Sequence, residues 1–382
     1  MPRIQYLNRL EQVEGLSRKE IRELERVNDW FSFRATDYYL SMINWDDPDD
    51  PLRRVVIPNL SELEEWGRPD PSREKSYTVL PGVQHKYKST ALFLASGECA
   101  GYCRYCFRKR IFTDDPDEVL RDLPAAIQYI AEHKEITNVL LTGGDPLTLS
   151  TRRLKDILSQ LGQIPHVRIV RVGTRMLSYN PYRVLDDMEL LAAFEDCVSP
   201  TRRVYVVTHF NHPRELTDVA FQAIKALHGA GVILANQTPL IRGVNDDPEI
   251  LAELFRILSF SGVPPYYVFQ IRPSVGNRPF AVPIEEGYQV FERAKAKVSG
   301  LAKRARFVMS HATGKIEVVG LTDELIFFKY HRAARHEDSG RFLAFRRNPN
   351  GYWFDDYEAP VYNTPIVKAK RQRRTMGSEA MA

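Results

Sequence analysis

Short apolar runs alternate with amphipathic segments from residue 90 onward, with a period of about thirty residues. This alternation is typical of repeated βα units, in which each strand is followed by a helix. The predicted strands are nearly continuous apolar and aromatic runs, as parallel strands buried on both faces should be: 91–96, 138–142, 167–172, 203–209, 232–237, 266–271 and 305–309. Helices are predicted between them at 117–134, 151–161, 188–194, 213–230, 248–260 and 285–298. Six or seven such units predict an α/β fold, a full or partial (β/α) barrel of parallel strands with chemistry at their carboxyl ends.

The pattern changes on both sides of the barrel, which we place at residues 90–316. Residues 1–89 read as a helical N-terminal region, where Ser17 and Glu20 have the spacing of a capping box and a second helix is expected over 37–43. Aromatic and charged residues dominate 317–367, which we expect to be an ordered C-terminal extension. Residues 368–382 begin with a basic stretch and are expected to form a disordered tail.

Composition excludes several classes of protein. A net charge of +4 over 382 residues gives no bulk argument for nucleic acid, and an apolar run near the roughly 18 residues of a membrane span is absent. The N-terminus lacks the pattern of a signal peptide, so we expect a cytoplasmic protein. Four cysteines in a chain of this length are too few for a disulfide framework.

Three of the four cysteines instead suggest a metal site. Cys99, Cys103 and Cys106 follow the first predicted strand with Cys-x3-Cys-x2-Cys spacing, and thiolates are soft ligands for iron–sulfur clusters and zinc. Cys197 is over ninety residues away, so a four-iron cluster would keep one iron open to a small molecule. The alternatives are free thiols, or a zinc site completed by His85 or a water.

This spacing at the end of a first barrel strand resembles the radical S-adenosylmethionine (SAM) superfamily. The resemblance implies a [4Fe-4S] cluster on the three cysteines, whose electron cleaves SAM to a 5′-deoxyadenosyl radical that abstracts hydrogen from a small substrate. It also implies an electron donor such as flavodoxin or ferredoxin. After the second predicted strand, Gly143, Gly144 and Asp145 resemble the motif that cradles the SAM amino group.

The likeness extends to the lysine 2,3-aminomutase family, over the segments 38–43, 47–51, 99–110, 141–145, 169–175, 208–213, 235–237 and 242–246. It implies an isomerase in which His209 and Gln237 contact SAM. Pyridoxal phosphate (PLP) forms an imine with the substrate in that family, and Lys315 would be its lysine. Arg108, two residues after the last cluster cysteine, would pair with the substrate carboxylate.

Other positions depart from the family pattern. The arginines that hold the PLP phosphate align with Lys86 and Thr90, so PLP binding stays open. The aspartates that recognise the distal amino group of lysine align with Arg272 and Ser310. Because Arg272 would repel an ammonium group, we expect a substrate with an acidic group, such as glutamate, rather than lysine. The C-terminal zinc cysteines of the type enzyme are absent.

The sequence therefore leaves several reactions open. The protein is an amino-acid 2,3-aminomutase if Lys315 holds PLP. Otherwise it is a PLP-independent radical epimerase or dehydratase acting on a sugar or another small molecule, with Cys197 as hydrogen donor unless that cysteine is simply a buried apolar residue. A remoter alternative is a non-catalytic cluster protein that binds nucleic acid through its basic tail. A homo-oligomer is compatible with the sequence, and a membrane partner is not expected.

Overall fold

The computed structural model describes residues 4–113 and 118–364. Its strands are β1 (Tyr6–Leu7), β2 (Ala35–Thr36), β3 (Thr78–Leu80), β4 (Val83–Tyr87), β5 (Thr90–Ser96), β6 (Asn138–Gly143), β7 (Ile169–Gly173), β8 (Arg203–Thr208), β9 (Ile233–Pro239), β10 (Pro265–Phe269), β11 (Arg306–His311), β12 (Gly314–Leu321), β13 (Leu325–Ala333), β14 (Phe342–Arg346) and β15 (Tyr362–Thr364). Its α-helices are α1 (Arg18–Asn28), α2 (Asp37–Leu40), α3 (Pro51–Val56), α4 (Lys109–Thr113), α5 (Leu123–Glu132), α6 (Thr151–Gly162), α7 (Met176–Tyr179), α8 (Tyr182–Leu185), α9 (Met188–Cys197), α10 (Asp218–Gly229), α11 (Pro248–Phe260) and α12 (Ile284–Ala296).

One sheet of 13 strands, from β3 to β15 in chain order, organises the molecule. Strands β5 to β11 pair in parallel with their sequence neighbours, as the βα pattern predicts. Antiparallel strands extend the sheet at both edges: β3 and β4 before the parallel set, and β12 to β15 after it. Of the predicted full or partial barrel, the structure supports the partial form, because the described strands form an open sheet whose two edges do not pair.

Side chains, rather than a strand ladder, connect the two sides of this open sheet. The Arg332 guanidinium on β13 donates to Thr90 Oγ1 on β5 at 3.0 Å. Lys86 on β4 donates to the carbonyl of His311 on β11, and Tyr77 donates to the carbonyl of Ala312 at 2.8 Å. These bonds bring the antiparallel hairpin after β11 against the start of the parallel set, so the sheet curls around a central space.

The local predictions agree closely with the observed elements. All seven predicted parallel strands form, with small shifts at their ends. Ser17 caps α1 through the predicted capping box, with its Oγ accepting from Glu20 N at 3.2 Å and Glu20 accepting from Ser17 N at 2.9 Å. The helix predicted over 37–43 is shorter and ends at Leu40. Strands β3 and β4 were not predicted.

The C-terminal extension continues the same sheet. Strand β12 runs through the boundary placed at residue 316, so the structure shows no break there. The predicted tail, 368–382, lies outside the described residues. Within 4–113 and 118–364, no helix combines the length and apolarity needed to cross a bilayer.

Candidate active site

One cavity of about 320 Å³ opens at the carboxyl ends of the parallel strands. It brings together eleven of the twelve residues that the sequence singled out for the site: Cys99, Cys103, Cys106, Arg108, Gly143, Gly144, Asp145, His209, Gln237, Arg272 and Lys315. These residues come from six different strands or the loops that follow them. Parallel topology explains most of this convergence, because it places the carboxyl ends of β5, β6, β8, β9 and β10 at one edge. Lys315 joins them from the start of the antiparallel strand β12, across the hairpin from the end of β11.

The three clustered cysteines lie in the loop after β5 and face the cavity together. A tight turn joins two of them, with Cys106 N donating to the Cys103 carbonyl at 2.9 Å. Arg108 N donates to Cys106 Sγ at 3.4 Å, a contact that stabilises a thiolate. Burial raises the pKa of the Cys106 thiol to about 11, and a bound metal would counter this by deprotonating its thiol ligands. Three sulfurs on one cavity fit a cluster with one open iron.

The Gly143-Gly144-Asp145 segment is packed against the backbone that leads into the cysteine loop. Gly144 N donates to the Ser96 carbonyl at 2.7 Å, and Asp145 N donates to the Glu98 carbonyl at 2.6 Å. Gly143 has φ +122°, and a Cβ on Gly144 would lie 2.2 Å from Glu98 O. Both glycines are therefore required by the close approach of two backbones. The motif and the cysteine loop form one unit.

The Asp145 side chain links the ends of β6 and β7. Its carboxylate accepts from Thr174 Oγ1 at 2.7 and 2.8 Å, from Arg175 N at 2.7 Å and from Leu147 N at 2.9 Å. Burial raises the pKa of this carboxyl group. Because so many donors occupy the carboxylate, its contribution to the site is to hold the two strand ends in register.

His209 and Gln237 lie at or near the ends of β8 and β9 and face the cavity, as predicted. The Nε2 atom of His209 is 3.5 Å from the hydroxyl of Tyr105, which belongs to the cysteine loop. Burial, together with the positive charge of Arg175, holds the pKa of His209 well below its usual range. The imidazole is therefore neutral at pH 7 and can both donate and accept a hydrogen bond.

A buried ionic network behind the cysteine loop was missed by the sequence analysis. The Arg175 guanidinium bonds to Glu215 and to the Tyr105 hydroxyl. Glu215 also accepts from Tyr39 OH at 2.7 Å and from Asn211 N at 2.6 Å. The network joins the N-terminal region, the cysteine loop and the ends of β7 and β8. The sequence does contain one signal for this network, because Arg175 is a charged residue shortly after the buried strand β7.

Arg108 is held by an acidic residue from the N-terminal region. Its Nε and Nη2 atoms donate to Glu74 at 3.0 and 2.8 Å, and its Nη1 atom donates to Thr142 Oγ1 and the Gly143 carbonyl at 3.3 and 3.4 Å. Glu74 also accepts from Arg110 at 3.0 Å and lies 3.7 Å from Arg272 Nη1. The sequence carried no signal for Glu74, since no motif surrounds it.

Lys315 begins β12, directly after the hairpin that follows β11. Its Nζ atom lies over two aromatic rings, 4.9 Å from the Tyr267 centroid and 4.5 Å from the Phe269 centroid. Burial and the nearby cations, of which Arg272 acts most strongly, hold the pKa of Lys315 well below its usual range. A lowered pKa favours the unprotonated, nucleophilic form of the amine, which is the form that a Schiff-base lysine needs.

Comparison with known proteins gives one consistent result. Residues 94–255 match the family model of the radical SAM superfamily. A putative L-lysine 2,3-aminomutase of Aquifex aeolicus is 54% identical over 356 residues, 93% of this chain and 95% of the relative. The chain belongs to the lysine 2,3-aminomutase family.

More distant members of this aminomutase family have different named substrates. L-Lysine 2,3-aminomutase of Clostridium subterminale is 34% identical over 307 residues, 78% of this chain and 72% of the relative. Glutamate 2,3-aminomutase of Clostridioides difficile is 36% identical over 302 residues, 78% of this chain and 70% of the relative. Identity of this size with both does not discriminate between an amino and a carboxylate side chain.

Membership settles the class of chemistry. The protein is a radical SAM enzyme of the isomerase type, with a [4Fe-4S] cluster and SAM, and it needs a reductant and a small-molecule substrate. The cavity fits these groups, because it presents three thiols beside a glycine segment and two polar strand ends. The cluster and SAM supply the hydrogen-abstracting radical, and the chain's residues bind and orient them and exclude water.

Two sequence hypotheses lie away from this cavity. Cys197 ends α9 and is buried, with its thiol directed toward the carbonyl of Leu158 on α6 at 3.7 Å. The structure thus does not bring it to the cavity as a hydrogen donor. His85 bonds to Tyr129 OH and to the carbonyl of Lys88 near the amino-terminal end of β5, so the structure does not bring it to the cysteines as a zinc ligand.

Proposed function

We propose that the protein is a PLP-dependent amino-acid 2,3-aminomutase for a substrate with an acidic side chain, with its cluster on Cys99, Cys103 and Cys106. Arg272 carries the argument for the acidic substrate. Its guanidinium stacks 3.4 Å from the Phe107 ring centroid and faces the cavity, and among the described residues its buried Nη1 has no hydrogen-bond acceptor. Glu74 Oε1 is 3.7 Å from this nitrogen, too far for a hydrogen bond. A substrate carboxylate would supply the hydrogen bond that the buried donor lacks.

The same cavity offers a lysine side chain no partner. Glu74 and Asp145 are its only carboxylates among the described residues. Glu74 is already shared by arginines, and Asp145 is saturated by donors from β7 and its own loop. A second ammonium group would therefore be buried next to Arg272 without compensation, which is strongly unfavourable.

Lys315 supports the PLP part of the proposal. It lies at the carboxyl edge of the sheet, its lowered pKa favours the nucleophilic form of the amine, and aromatic rings line its position. PLP, when bound, supplies an aldehyde that links covalently to the migrating nitrogen and a ring system that delocalises an unpaired electron. Lys315 would hold that aldehyde between turnovers and release it to the substrate amine.

Arg108 is positioned for the substrate α-carboxylate. Glu74 occupies the Nε–Nη2 edge of its guanidinium. Within the described residues, Nη1 makes two long bonds, to Thr142 and Gly143. A carboxylate is a stronger acceptor for a guanidinium than a hydroxyl or a carbonyl group. The side chain can therefore accept the substrate without leaving Glu74, and its place two residues after Cys106 keeps the substrate next to the cluster.

The relatives include enzymes for both kinds of substrate. The 54% identical protein is called a putative lysine enzyme, and the more distant Clostridioides difficile relative is a glutamate enzyme. A single charge at the side-chain pocket decides between an ammonium group and a carboxylate, and Arg272 favours the carboxylate.

The test is turnover by the anaerobically reconstituted enzyme with SAM, PLP and reduced flavodoxin or ferredoxin. We expect β-glutamate or β-aspartate from the corresponding L-α-amino acid, and at least about tenfold lower kcat/KM for L-lysine. Arg272→Gln should lower kcat/KM for the acidic substrate by about 10- to 100-fold, with Arg272→Lys between the two. A preference for lysine in the wild-type enzyme would contradict the proposal.

The PLP-independent epimerase or dehydratase is the competing reaction. It is supported if borohydride fails to attach PLP to Lys315 while SAM is still cleaved reductively. Cys197→Ala is a matched control for either reaction, because this thiol contacts α6 and not the cavity. Unchanged turnover in Cys197→Ala is expected, and a loss of turnover with intact cluster would restore the hydrogen-donor hypothesis.

A further inference from the structure

We propose that Arg332 and Arg171 form the site for the phosphate group of PLP, with Tyr87 and Thr90 as neutral donors. This assignment rests on the proposed PLP dependence and identifies residues that take the place of the family's two phosphate arginines. Those arginines align with Lys86 and Thr90, so the chain must bind a phosphate differently or not at all.

The first observation is the cross-strand pairing of two cations. Lys315 on β12 lies directly opposite Arg332 on β13. Directly opposed residues of an antiparallel pair have side chains on the same face and Cβ atoms about 5 Å apart, and like charges in this arrangement are destabilising. Both side chains face the cavity. An anion bound between or beside them would remove the repulsion.

A third cation reaches the same space from the opposite side of the curled sheet. Arg171 lies on β7, where its neighbours alternate as buried valines, and its side chain faces the cavity. Its Nε donates to Asn138 Oδ1 at 2.9 Å, which leaves the two Nη atoms available. Mutual repulsion with Arg332 contributes to lowering the pKa of Arg171, after burial itself. Both arginine side chains line the same cavity, so one anion bound there would face them both.

Neutral hydrogen-bond donors lie beside Arg332 in the cavity. Arg332 lies over the Tyr87 ring at 4.3 Å and donates to Thr90 Oγ1 at 3.0 Å. The Tyr87 hydroxyl is buried and, within the described parts of the chain, has no hydrogen-bond partner; the same holds for the Gln84 amide nitrogen. Both residues line the cavity, and Gln84 is only 6% exposed.

These groups match the chemistry of a phosphate monoester. The cluster offers donors and positive charge, and neither cavity carboxylate neutralises it, because Glu74 and Asp145 are engaged elsewhere. A phosphate has up to two negative charges and three terminal acceptor oxygens, and arginine forks bind it well. A substrate carboxylate has one charge and would leave part of the cluster unsatisfied. Because Arg332 lies directly opposite Lys315 on the neighbouring strand, a phosphate held by Arg332 would be on the side of the cavity where Lys315 lies.

The experiment separates phosphate binding from binding of the ring. Reconstituted enzyme is incubated with PLP or with pyridoxal, which lacks the phosphate, and is then reduced with borohydride. The adduct on the Lys315 peptide is quantified by mass spectrometry against cofactor concentration. We expect Arg332→Gln and, separately, Arg171→Gln to raise the half-saturating PLP concentration by about 10- to 100-fold. Uptake of pyridoxal should change by less than about threefold.

Inorganic phosphate provides an independent readout. It should compete with PLP for the wild-type enzyme and compete much less in Arg332→Gln. Arg346→Gln is the matched control, because Arg346 is exposed on β14. Iron content reports whether each variant is folded, since the cluster cysteines lie in the loop after β5 and Arg332 lies on β13.

The outcomes distinguish a failure of the proposed PLP dependence from a failure of the phosphate assignment. If the wild-type enzyme forms no adduct with PLP or pyridoxal, the proposed PLP dependence fails and this assignment fails with it. If the wild type binds PLP and both arginine variants bind it with unchanged affinity, only the phosphate assignment is wrong. Equal losses of PLP and pyridoxal binding would also overturn it, because they would show that the arginines position Lys315 rather than the phosphate.

Discussion

The two walls of the active-site cavity are built in different ways. The cysteine wall, residues 96–108 with 143–145, consists of two short segments held together by backbone hydrogen bonds. The cationic wall consists of Lys86, Arg171, Arg272, Lys315 and Arg332, single residues from β4, β7, β12, β13 and the loop after β10. These residues line one cavity only because the sheet curls and the hairpin after β11 packs against β5.

This difference shows which wall needs a bound ligand to compensate its charges and buried donors. In the cysteine wall, the close approach of Gly144 to Glu98 and the bonds to Asp145 fix the geometry within the protein. In the cationic wall, repulsion between like charges and buried donors such as Tyr87 OH remain uncompensated among the described residues. Such features persist at functional sites, where a ligand supplies the missing interaction.

The largest expected effect tests whether the walls are separable. Cys106→Ala removes one of three thiols and should lower reductive SAM cleavage to below about one hundredth of the wild-type rate, because a cluster with two protein ligands is not held. The cationic wall should be unaffected, so PLP should still attach to Lys315. SAM cleavage and the borohydride adduct are measured on the same preparation. Loss of both in a folded variant would show that the walls form one unit.

Glu74 is the residue that connects the two walls, and its removal should have the next largest effect. It is 9% exposed and binds Arg108 and Arg110, with Arg272 nearby. Glu74→Gln leaves these buried cations without their shared carboxylate and should cost about 3–5 kcal/mol of unfolding free energy. Denaturant unfolding under anaerobic conditions measures it.

The control for this prediction is Glu118→Gln. Glu118 shares Arg110 with Glu74, at 2.9 Å, and also pairs with Lys75, but it does not line the cavity. Its loss should cost less than the loss of Glu74, because Glu118 pairs with one buried arginine and the exposed Lys75, whereas Glu74 pairs with two buried arginines and lies near a third. Equal costs for the two variants would contradict the role of Glu74 as the link between the walls.

The same division explains what the sequence could predict. The cysteines and Gly143-Gly144-Asp145 are short contiguous motifs that follow apolar strands. Both motifs, and their places in the fold, can therefore be predicted from the sequence. Glu74 and Arg332 stand in segments without a motif, and only tertiary packing brings them to the cavity. Arg171 had a usable signal, a charge inside an otherwise apolar strand. The open sheet could not be told from a closed barrel, because both have the same βα period.

The last expected effect is a pH dependence that arises in the cationic wall alone. Burial and the positive charge of Arg272 lower the pKa of Lys86 from 10.5 to about 7. The unfolded chain therefore binds one more proton than the folded chain between about pH 7 and pH 10, and stability should rise with pH across this window, by at most about 1.4 kcal/mol per pH unit for a single group. Lys86→Met removes this contribution. The gain in unfolding free energy on substitution should be greatest below pH 7 and should shrink steadily toward pH 10, when both proteins are unfolded with denaturant in the absence of PLP. A gain that is constant with pH would show that Lys86 is charged in the folded protein and that the cationic wall tolerates it without a ligand.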